Sequence, residues 1–237
     1  MVEMCRSQRV GMQDNACGDL PPLYNTFPAL EEVVSCLGDR KVVSAQDAAA
    51  LWGTEVEGAP PICFERETIR HCADGNSRLL NDWRFVYLNG FSLLELRERI
   101  GTDRSRQPCF SKSIWWTKPD EAGWTAVQYP RGYYLIDTRG RFYPKMSWLD
   151  QETEVRKLGQ GLKRVPEALL AECMVSFFLA RGERLLEGWY HWGPSQAKRG
   201  RVHIGDFREE GLEVGVLPQK WKMNGTLRVC LTRKRDI

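Results

Sequence analysis

Apolar and polar residues alternate most regularly in the last quarter of the chain. In the segments RVHIGDF, LEVGVL and TLRVCLT, valine, leucine and isoleucine recur at every second position, which is the period of a half-buried strand. A fourth segment, RLLEGWYHW, is short, apolar and rich in aromatic residues. We therefore predict four strands within residues 184–232.

Two helices are predicted before these strands. The first, SWLDQETEVRKLG, opens with the capping-box pair Ser147 and Asp150, and the second begins at Pro166 and ends at Gly182. A strand, GYYLIDT, precedes both helices, and the turn-rich link RGRFYPKM joins it to the first. The predicted apolar stripes are Trp148, Val155, Leu158 and Leu162 on the first helix, and Leu169, Leu170, Cys173, Met174, Phe177 and Phe178 on the second.

The order of these elements indicates the fold class. Parallel α/β folds alternate strands with helices, whereas here two helices stand together before an antiparallel run of strands with short connections. A strand, two helices and a run of strands is the order of the C-type-lectin-like fold, in which the first strand meets the last. We predict an α+β protein with this fold in residues 130–237.

The N-terminal half has mixed signals. Residues 1–24 are polar and aperiodic and are interpreted as an arm. Residues 25–129 are predicted as a helical and mixed portion, packed against the C-terminal domain or separate from it. Its first helix lies in FPALEEVVSCLG, between Pro28 and Gly38, and its second in SAQDAAALWG, with Ser44 as N-cap, Asp47 three residues on and Gly53 after the end.

Three further elements are predicted before residue 130. A helix in FERETIRHC ends at ADGN, and the strand DWRFVYL then places Trp83, Phe85 and Tyr87 on one face. Asn89-Gly90 turns the chain into SLLELRERIG. Residues 102–130 form a long ordered excursion, because the tryptophans at 115, 116 and 124 are too apolar to leave in water.

Composition and charge bound the classes of function. The 237 residues include 34 basic and 31 acidic ones, for a net charge of +3, and the only strongly basic run is RKRDI at the end. Nucleic-acid binding is therefore not expected. We expect no membrane span, because no stretch approaches 18 apolar residues, and no signal peptide, because the first residues lack an apolar core. The chain is expected in the cytoplasm or in a particle assembled inside a cell.

Candidate chemistry is sparse. The eight cysteines include no C-x-x-C pair, so reduced thiols are favoured over a disulfide framework. Cys63, His71 and Cys72 have poor spacing for zinc, and we predict no metal, no cofactor and no catalytic residue. His203 and Asp206, three residues apart in a strand, face opposite ways unless a bulge intervenes.

The aromatic segment EGWYHWG, residues 187–193, has two interpretations. Rings of this kind stack on sugars or bases, but within a sheet they more often fill the core, which we favour. Alternation places Trp189 and His191 on one face of the strand and Tyr190 and Trp192 on the other. Both faces of this strand are therefore expected to be covered.

The regular tail is interrupted by the chemically mixed run LPQKWKMNG. The frame around it, made of WYHWG, RVHIGDF, GLEV and LRVCLTRK, resembles the variable proteins of diversity-generating retroelements, in particular their archaeal branch. Such proteins display variable residues on a C-type-lectin-like scaffold as a ligand-binding surface. The chain lacks the GGSW segment and the GFR ending of the bacterial and phage members.

The resemblance implies a non-enzymatic binding protein with a variable surface at about residues 200–226, whose partner is an unknown protein or cell-surface ligand. Trp221, between Lys220 and Lys222, is the predicted anchor; the opposing interpretation is a loose loop with Trp221 tucked onto the core. Two other functions stay open: a small enzyme or glycan-binding module using His191 and His203, and a DNA-binding regulator using the Ser44–Trp52 helix. The implied contact positions are His203, Asp206, Arg208, Glu209, Leu212, Glu213, Leu217, Gln219, Lys220, Trp221, Lys222, Met223 and Asn224.

Overall fold

The computed structural model describes residues 27–143, 145–159, 161–222 and 226–233. The predicted arm, residues 1–24, lies outside these ranges. Eight strands within them form one mixed sheet. The strands are β1 (Val42–Val43), β2 (Trp83–Leu88), β3 (Gly132–Phe142), β4 (Leu162–Arg164), β5 (Tyr190–Ala197), β6 (Gly200–Arg208), β7 (Gly211–Leu217) and β8 (Leu227–Arg233).

The helices are α1 (Leu30–Leu37), α2 (Ala45–Trp52), α3 (Arg66–Ser77), α4 (Leu93–Ile100), α5 (Ala122–Thr125), α6 (Trp148–Lys157) and α7 (Glu167–Arg181). Helices α2, α6 and α7 begin or end at short-range signals in the sequence. The capping boxes at Ser44 and Ser147 both form, and Gly182 ends the long helix in the left-handed conformation. The protein is therefore of the predicted mixed α+β class.

The sheet is mostly antiparallel and has the strand order β1-β2-β3-β8-β5-β6-β7. Only the β1–β2 and β5–β8 pairs are parallel. Strand β3 pairs with β8, so the strand before the two helices meets the last strand of the chain. Strand β4 pairs with the second half of β8. Because β1 and β2 belong to this sheet, residues 27–129 contribute to the same framework as the C-terminal half.

Helix α3 is longer than predicted. The sequence indicated an end at ADGN, residues 73–76, but the helix continues to Ser77. The Asn76 side chain donates to the carbonyl of Trp83 at 2.9 Å and accepts from its backbone N–H at 2.6 Å. This contact with β2 fixes the end of the helix, and the local sequence gave no sign of it.

The bounds of three strands also differ from the prediction. Strand β3 continues through the predicted link as far as Phe142, because this region pairs with β8. Leu162, predicted on the stripe of α6, lies in β4 opposite Arg233. Strand β5 begins at Tyr190 rather than near residue 184, after a turn in which Leu186 has a φ of 58°. Pairing with distant residues decides each of these bounds.

Helices cover both faces of the sheet. Val86 and Ile136 share one apolar core with α7, whereas their neighbours Phe85 and Leu135 share another with α1 and α3. The predicted common face of Trp83, Phe85 and Tyr87 belongs to the second core. Adjacent strand residues thus point into different cores, as the period of two requires.

The excursion of residues 102–130 is ordered, as predicted, and protects the edge of the sheet. The backbone of Leu212 on β7 accepts from Ser111 and donates to Cys109, at 3.0 and 2.8 Å. The indole N–H of Trp115 donates to the carbonyl of Val214 at 3.1 Å. These contacts occupy polar groups of an edge strand that would otherwise pair with another chain.

A buried carboxylate fixes the turn between β2 and α4. Glu172 on α7 accepts hydrogen bonds from the backbone N–H groups of Asn89, Gly90 and Phe91 at 2.6, 3.0 and 3.1 Å. Burial raises the pKa of its carboxyl to about 7, while the three amide donors act in the opposite direction. The turn therefore depends on a side chain that lies 81 to 83 residues later in the chain.

Two more buried side chains hold β5. Glu167 accepts from the backbone N–H and the hydroxyl of Ser195 at 2.9 and 2.7 Å. The Nδ1 atom of His191 accepts from the backbone N–H of Cys230 at 3.0 Å, so its Nε2 atom donates to the carbonyl of Val165 at 2.8 Å. Burial lowers the pKa of His191 to about 3, so the imidazole is neutral.

Replacement of Glu172 by Gln tests the buried turn. The amide keeps the shape but supplies one acceptor oxygen, so a buried backbone N–H at the turn loses its partner, which costs about 1–3 kcal/mol. We expect this decrease in the free energy of unfolding, measured with urea. The control Glu98→Gln changes an exposed carboxylate on α4 and should have little effect. Equal stability of both variants would contradict the role of Glu172.

Acid should unfold the protein partly through His191. Its folded pKa lies below the unfolded value of about 6.5, so its contribution to stability is complete above pH 6.5 and is lost as the pH falls toward 3. Between pH 5 and 6 the unfolded chain binds one more proton at this site, which lowers the free energy of unfolding by about 1.4 kcal/mol per pH unit. The His191→Gln variant should lose this part of the slope in urea titrations; an unchanged slope would refute the assignment.

Candidate functional site

The predicted contact positions separate by exposure. Arg208, Glu209, Lys220, Trp221 and Lys222 are exposed, and Asp206, Glu213, Leu217 and Gln219 are half-buried. His203 and Leu212 are buried. Met223 and Asn224 lie outside the described residues. The exposed residues cluster at two places, the β6–β7 turn and the segment after β7.

The outward placement predicted for Leu212 and His203 is wrong. Leu212 is completely buried in the core shared with α7, and its spacing from Val214 already placed it on the inner face. His203 is 9% exposed, and its ring lies where a Cβ atom at Gly215 would come within 2.3 Å of Nε2. Burial lowers the pKa of His203 to about 4, so its ring is neutral at pH 7.

A bulge lies at the end of β6, where the pairing with β7 shifts register between Gly205 and Arg208. Asp206 has a φ of 44°, in the left-handed region that non-glycine residues rarely adopt. Its carboxylate accepts from the backbone N–H of Gly188 at 2.9 Å and pairs with the guanidinium of Arg208. The side chain of Asp206 thereby holds the turn that precedes β5.

Tyr190 is the centre of the polar cluster on this face. Its hydroxyl donates to Glu213 at 2.7 Å and approaches Asp206 at 3.3 Å. Its ring meets the ring of His203 edge to face, with 5.0 Å between the centroids. Burial and the two carboxylates raise the pKa of Tyr190 well above its usual range. His203 and Asp206 therefore share a neighbour but make no hydrogen bond to each other.

Tyr190 was predicted to lie in the core, and this is true only of its ring. The ring packs against the small cluster of Trp148, Trp192 and Leu227, whereas the hydroxyl donates to the carboxylate of Glu213 on β7 and lies near that of Asp206 on β6. The alternation of residues in β5 indicated that Tyr190 and Trp192 share a face. The sequence gave no sign of the bulge that brings Asp206 near Tyr190. The cluster combines two carboxylates, a phenol and one guanidinium at a half-exposed surface.

The segment after β7 displays the predicted anchor. Trp221 is 51% exposed, and the chain turns before it through a hydrogen bond from its backbone N–H to the carbonyl of Pro218, at 2.8 Å. The carbonyl of Gln219 accepts from the backbone N–H of Trp148 at 3.2 Å. Residues 218–222, hereafter the display segment, are thus fixed at the start of α6 while Trp221 remains in solvent.

Trp148 is a rigid support for the display segment. The guanidinium groups of Arg164 and Arg201 both pack against its indole, at 4.8 and 3.9 Å from the ring centroid. Its N–H donates to the carbonyl of Gly193 at 2.8 Å. Arg164 is itself buried and donates to the carbonyl of Trp192 at 2.7 Å. Trp148 was predicted on an apolar stripe, but its contacts with the two arginines were not predicted.

Leu149 adds a second exposed apolar side chain to this region. It follows Trp148 in the chain and is 53% exposed, at the turn of α6 that contacts the display segment. Lys220 and Lys222 are exposed on either side of Trp221. The only sequence signal for Leu149 was its position off the apolar stripe of α6. This region therefore combines two exposed apolar side chains with two lysines, and Lys222 also acts on the exposed carboxylate of Asp150.

Other candidate chemistry is absent from the described ranges. No group of three His, Cys, Asp or Glu side chains there is placed to hold a metal ion. The six cysteines within these ranges are free thiols. His191 is completely buried with both ring nitrogens engaged, which leaves no atom for a substrate. None of the helices described combines the length and apolarity needed to cross a bilayer.

Comparison with known proteins gives this chain no relative from which a function could be transferred. The chain matches no protein-family model, no curated protein and no solved structure.

Proposed function

We propose that the chain is a non-enzymatic ligand-binding protein that uses the display segment as its recognition surface. The exposure of Trp221, at 51%, carries this proposal. An exposed tryptophan is unfavourable in water, and tryptophan is enriched among the residues that dominate binding interfaces. The carbonyl of Gln219 accepts a hydrogen bond from the backbone of Trp148, which fixes the segment. Binding should therefore cost little further conformational entropy.

The charges of the surface indicate the chemistry of its partner. Lys220 and Lys222 flank Trp221 and are exposed. The hydrogen bond from Ser147 and, to a smaller extent, the charge of Lys222 lower the pKa of the nearby Asp150 carboxyl. A partner with an apolar pocket for the indole and acidic groups around it would complement both features. We infer that this partner is a protein or a cell-surface ligand with an acidic rim.

We further propose that a diversity-generating retroelement of the archaeal type rewrites the exposed tail positions on a C-type-lectin-like scaffold. Two observations support this proposal. The tail separates into a buried frame and exposed positions, and the frame resembles that of such variable proteins. Val202, Ile204, Val229 and Leu231 are buried and would be constant. The residues that would vary include Arg208, Glu209, Lys220, Trp221 and Lys222.

The DNA beside the gene tests the origin of the surface. We expect a reverse transcriptase gene and a near-copy of the 3′ end of this gene that differs mainly at adenines. The differing codons should fall on exposed positions such as 208 and 220–222 and spare the buried ones. A locus with neither the gene nor the copy would refute this origin, but not ligand binding itself.

The two alternative functions have less support. An enzyme that uses His191 and His203 would need them at the surface, yet both are buried. Helix α2, proposed for DNA binding, carries no basic residue and only one charged residue, Asp47. Phosphate contacts need positive charge. No second helix directly follows α2, since α3 begins only at Arg66.

We expect the Trp221→Ala variant to bind its partner more weakly while its free energy of unfolding stays nearly unchanged. Loss of a central anchor costs about 2 kcal/mol of binding free energy, roughly a thirtyfold increase in Kd. Because the indole is half exposed, the free energy of unfolding should change by less than about 0.5 kcal/mol. Wild type and variant, each immobilised, are incubated with surface proteins from candidate partner cells, and a retained protein is identified by mass spectrometry and titrated by calorimetry.

Lys163→Gln is the matched control, because Lys163 is an exposed lysine on β4 that does not belong to the display segment. It should retain the same partner with the same Kd as the wild type. A partner held equally by wild type and Trp221→Ala would contradict the role of the display segment. A large loss of stability in Trp221→Ala would instead favour the interpretation of Trp221 as a core residue.

A further inference from the structure

A second concave site lies on the other side of β7 from the polar cluster around Tyr190. It is a cavity of about 680 Å³ between the excursion of residues 102–130 and the turn that joins β5 to β6. Trp115, Lys118, Asp120 and Glu121 line it from the excursion, Lys198 and Arg199 from the β5–β6 turn, and Val216 from β7. This volume is within the usual range for small-molecule sites.

One wall of the cavity is aromatic and apolar. Trp115 is half-buried, and its indole N–H is already donated to the carbonyl of Val214. The part of the indole that borders the cavity therefore offers ring contact but no hydrogen bond. Trp124 supports it, with 5.9 Å between the ring centroids, and Val216 extends the wall along β7. Such a surface favours a planar, apolar group.

The rim of the cavity has unpaired positive charge. Within the described residues, Lys118 and Arg199 have no carboxylate within ion-pair distance, and Lys198 is paired only with Asp120, at 3.9 Å. Both members of that pair are largely exposed, at 78% and 54% of their side chains, so the pair is weak. An anionic group could replace Asp120 as the partner of these cations.

The two acidic side chains of the lining do not cancel this charge. Glu121 is buried, and its carboxylate accepts from the indole N–H of Trp124 at 2.7 Å. Asp120 makes only the loose contact with Lys198. Two cations are therefore left for a ligand, one on each side of the cavity, because Lys118 belongs to the excursion and Arg199 to the β5–β6 turn.

We propose that this cavity binds a small molecule made of a planar ring and a phosphate, of the size of a nucleoside monophosphate. The ring lies against Trp115 and Val216, and the phosphate is held between Lys118 and Arg199. Arginine and lysine are the usual side chains for phosphate recognition. The site goes beyond the proposed function, because its lining shares no side chain with the display segment.

Calorimetric titration of the full chain with adenosine monophosphate tests the site, with adenosine and inorganic phosphate as separate ligands. We expect saturable binding of the monophosphate, tighter than that of either part alone and weaker at high salt. The double variant Lys118→Gln/Arg199→Gln should bind at least about tenfold more weakly, since each charge-assisted hydrogen bond is strong. Both residues are exposed, so urea unfolding should show an unchanged fold.

Two controls separate this site from the display segment. Lys163→Gln should bind the monophosphate like the wild type, and so should Trp221→Ala, whatever its effect on the macromolecular partner. Absence of saturable binding at millimolar ligand, or equal binding by the double variant and the wild type, would overturn the proposal. Tighter binding of a short oligonucleotide through the same two cations would also overturn it, since the ligand would then be a nucleic acid.

Discussion

Strand β8 holds the two halves of the sheet together, because it is the last strand in sequence and the middle strand in space. It pairs with β3 along one edge and with β5 and β4 along the other. Val229, Cys230, Leu231 and Thr232 are all nearly inaccessible to solvent. The strands of the N-terminal part therefore reach β5, β6 and β7 only through residues near the C-terminus. This long-range pairing has a high entropic cost during folding, and both apolar cores repay it.

The contacts that hold the sheet together lie apart from the display segment. His191 links β5 to β8 through the backbone of Cys230, and Glu167 links β5 to α7 through Ser195. These contacts are buried and involve no residue of the display segment. Changes at Trp221 or its neighbours therefore leave the pairing of the sheet intact. A surface of this kind tolerates substitution because its residues take little part in the core.

Features that the sequence predicted correctly are local ones. The capping boxes at Ser44 and Ser147 and the stop at Gly182 depend on residues within one helical turn, so pattern alone identifies them. The length of β3 and the start of β5 depend on partners about 90 and 15 residues away. No local pattern contains that information, and the sequence predicted both bounds incorrectly.

The candidate site shows the same difference between local and distant information. The residues around Trp221 favour a loop with this side chain tucked onto the core, and only the family resemblance implies an exposed anchor; the side chain is 51% exposed. His203 was misplaced because its burial depends on Tyr190 from β5 and on the missing side chain at Gly215. The two arginines around Trp148 come from β4 and β6 and carry no signal near residue 148.

Trp148 and Trp221 contribute unequally to the stability of this protein. Trp148 packs against the guanidinium groups of Arg164 and Arg201, and its indole N–H donates to the carbonyl of Gly193. The backbone N–H of Trp148 that donates to the carbonyl of Gln219 is therefore held by buried contacts. Trp221 is 51% exposed and adds little to this support. Substitution at position 221 is therefore limited less by the fold than substitution at position 148.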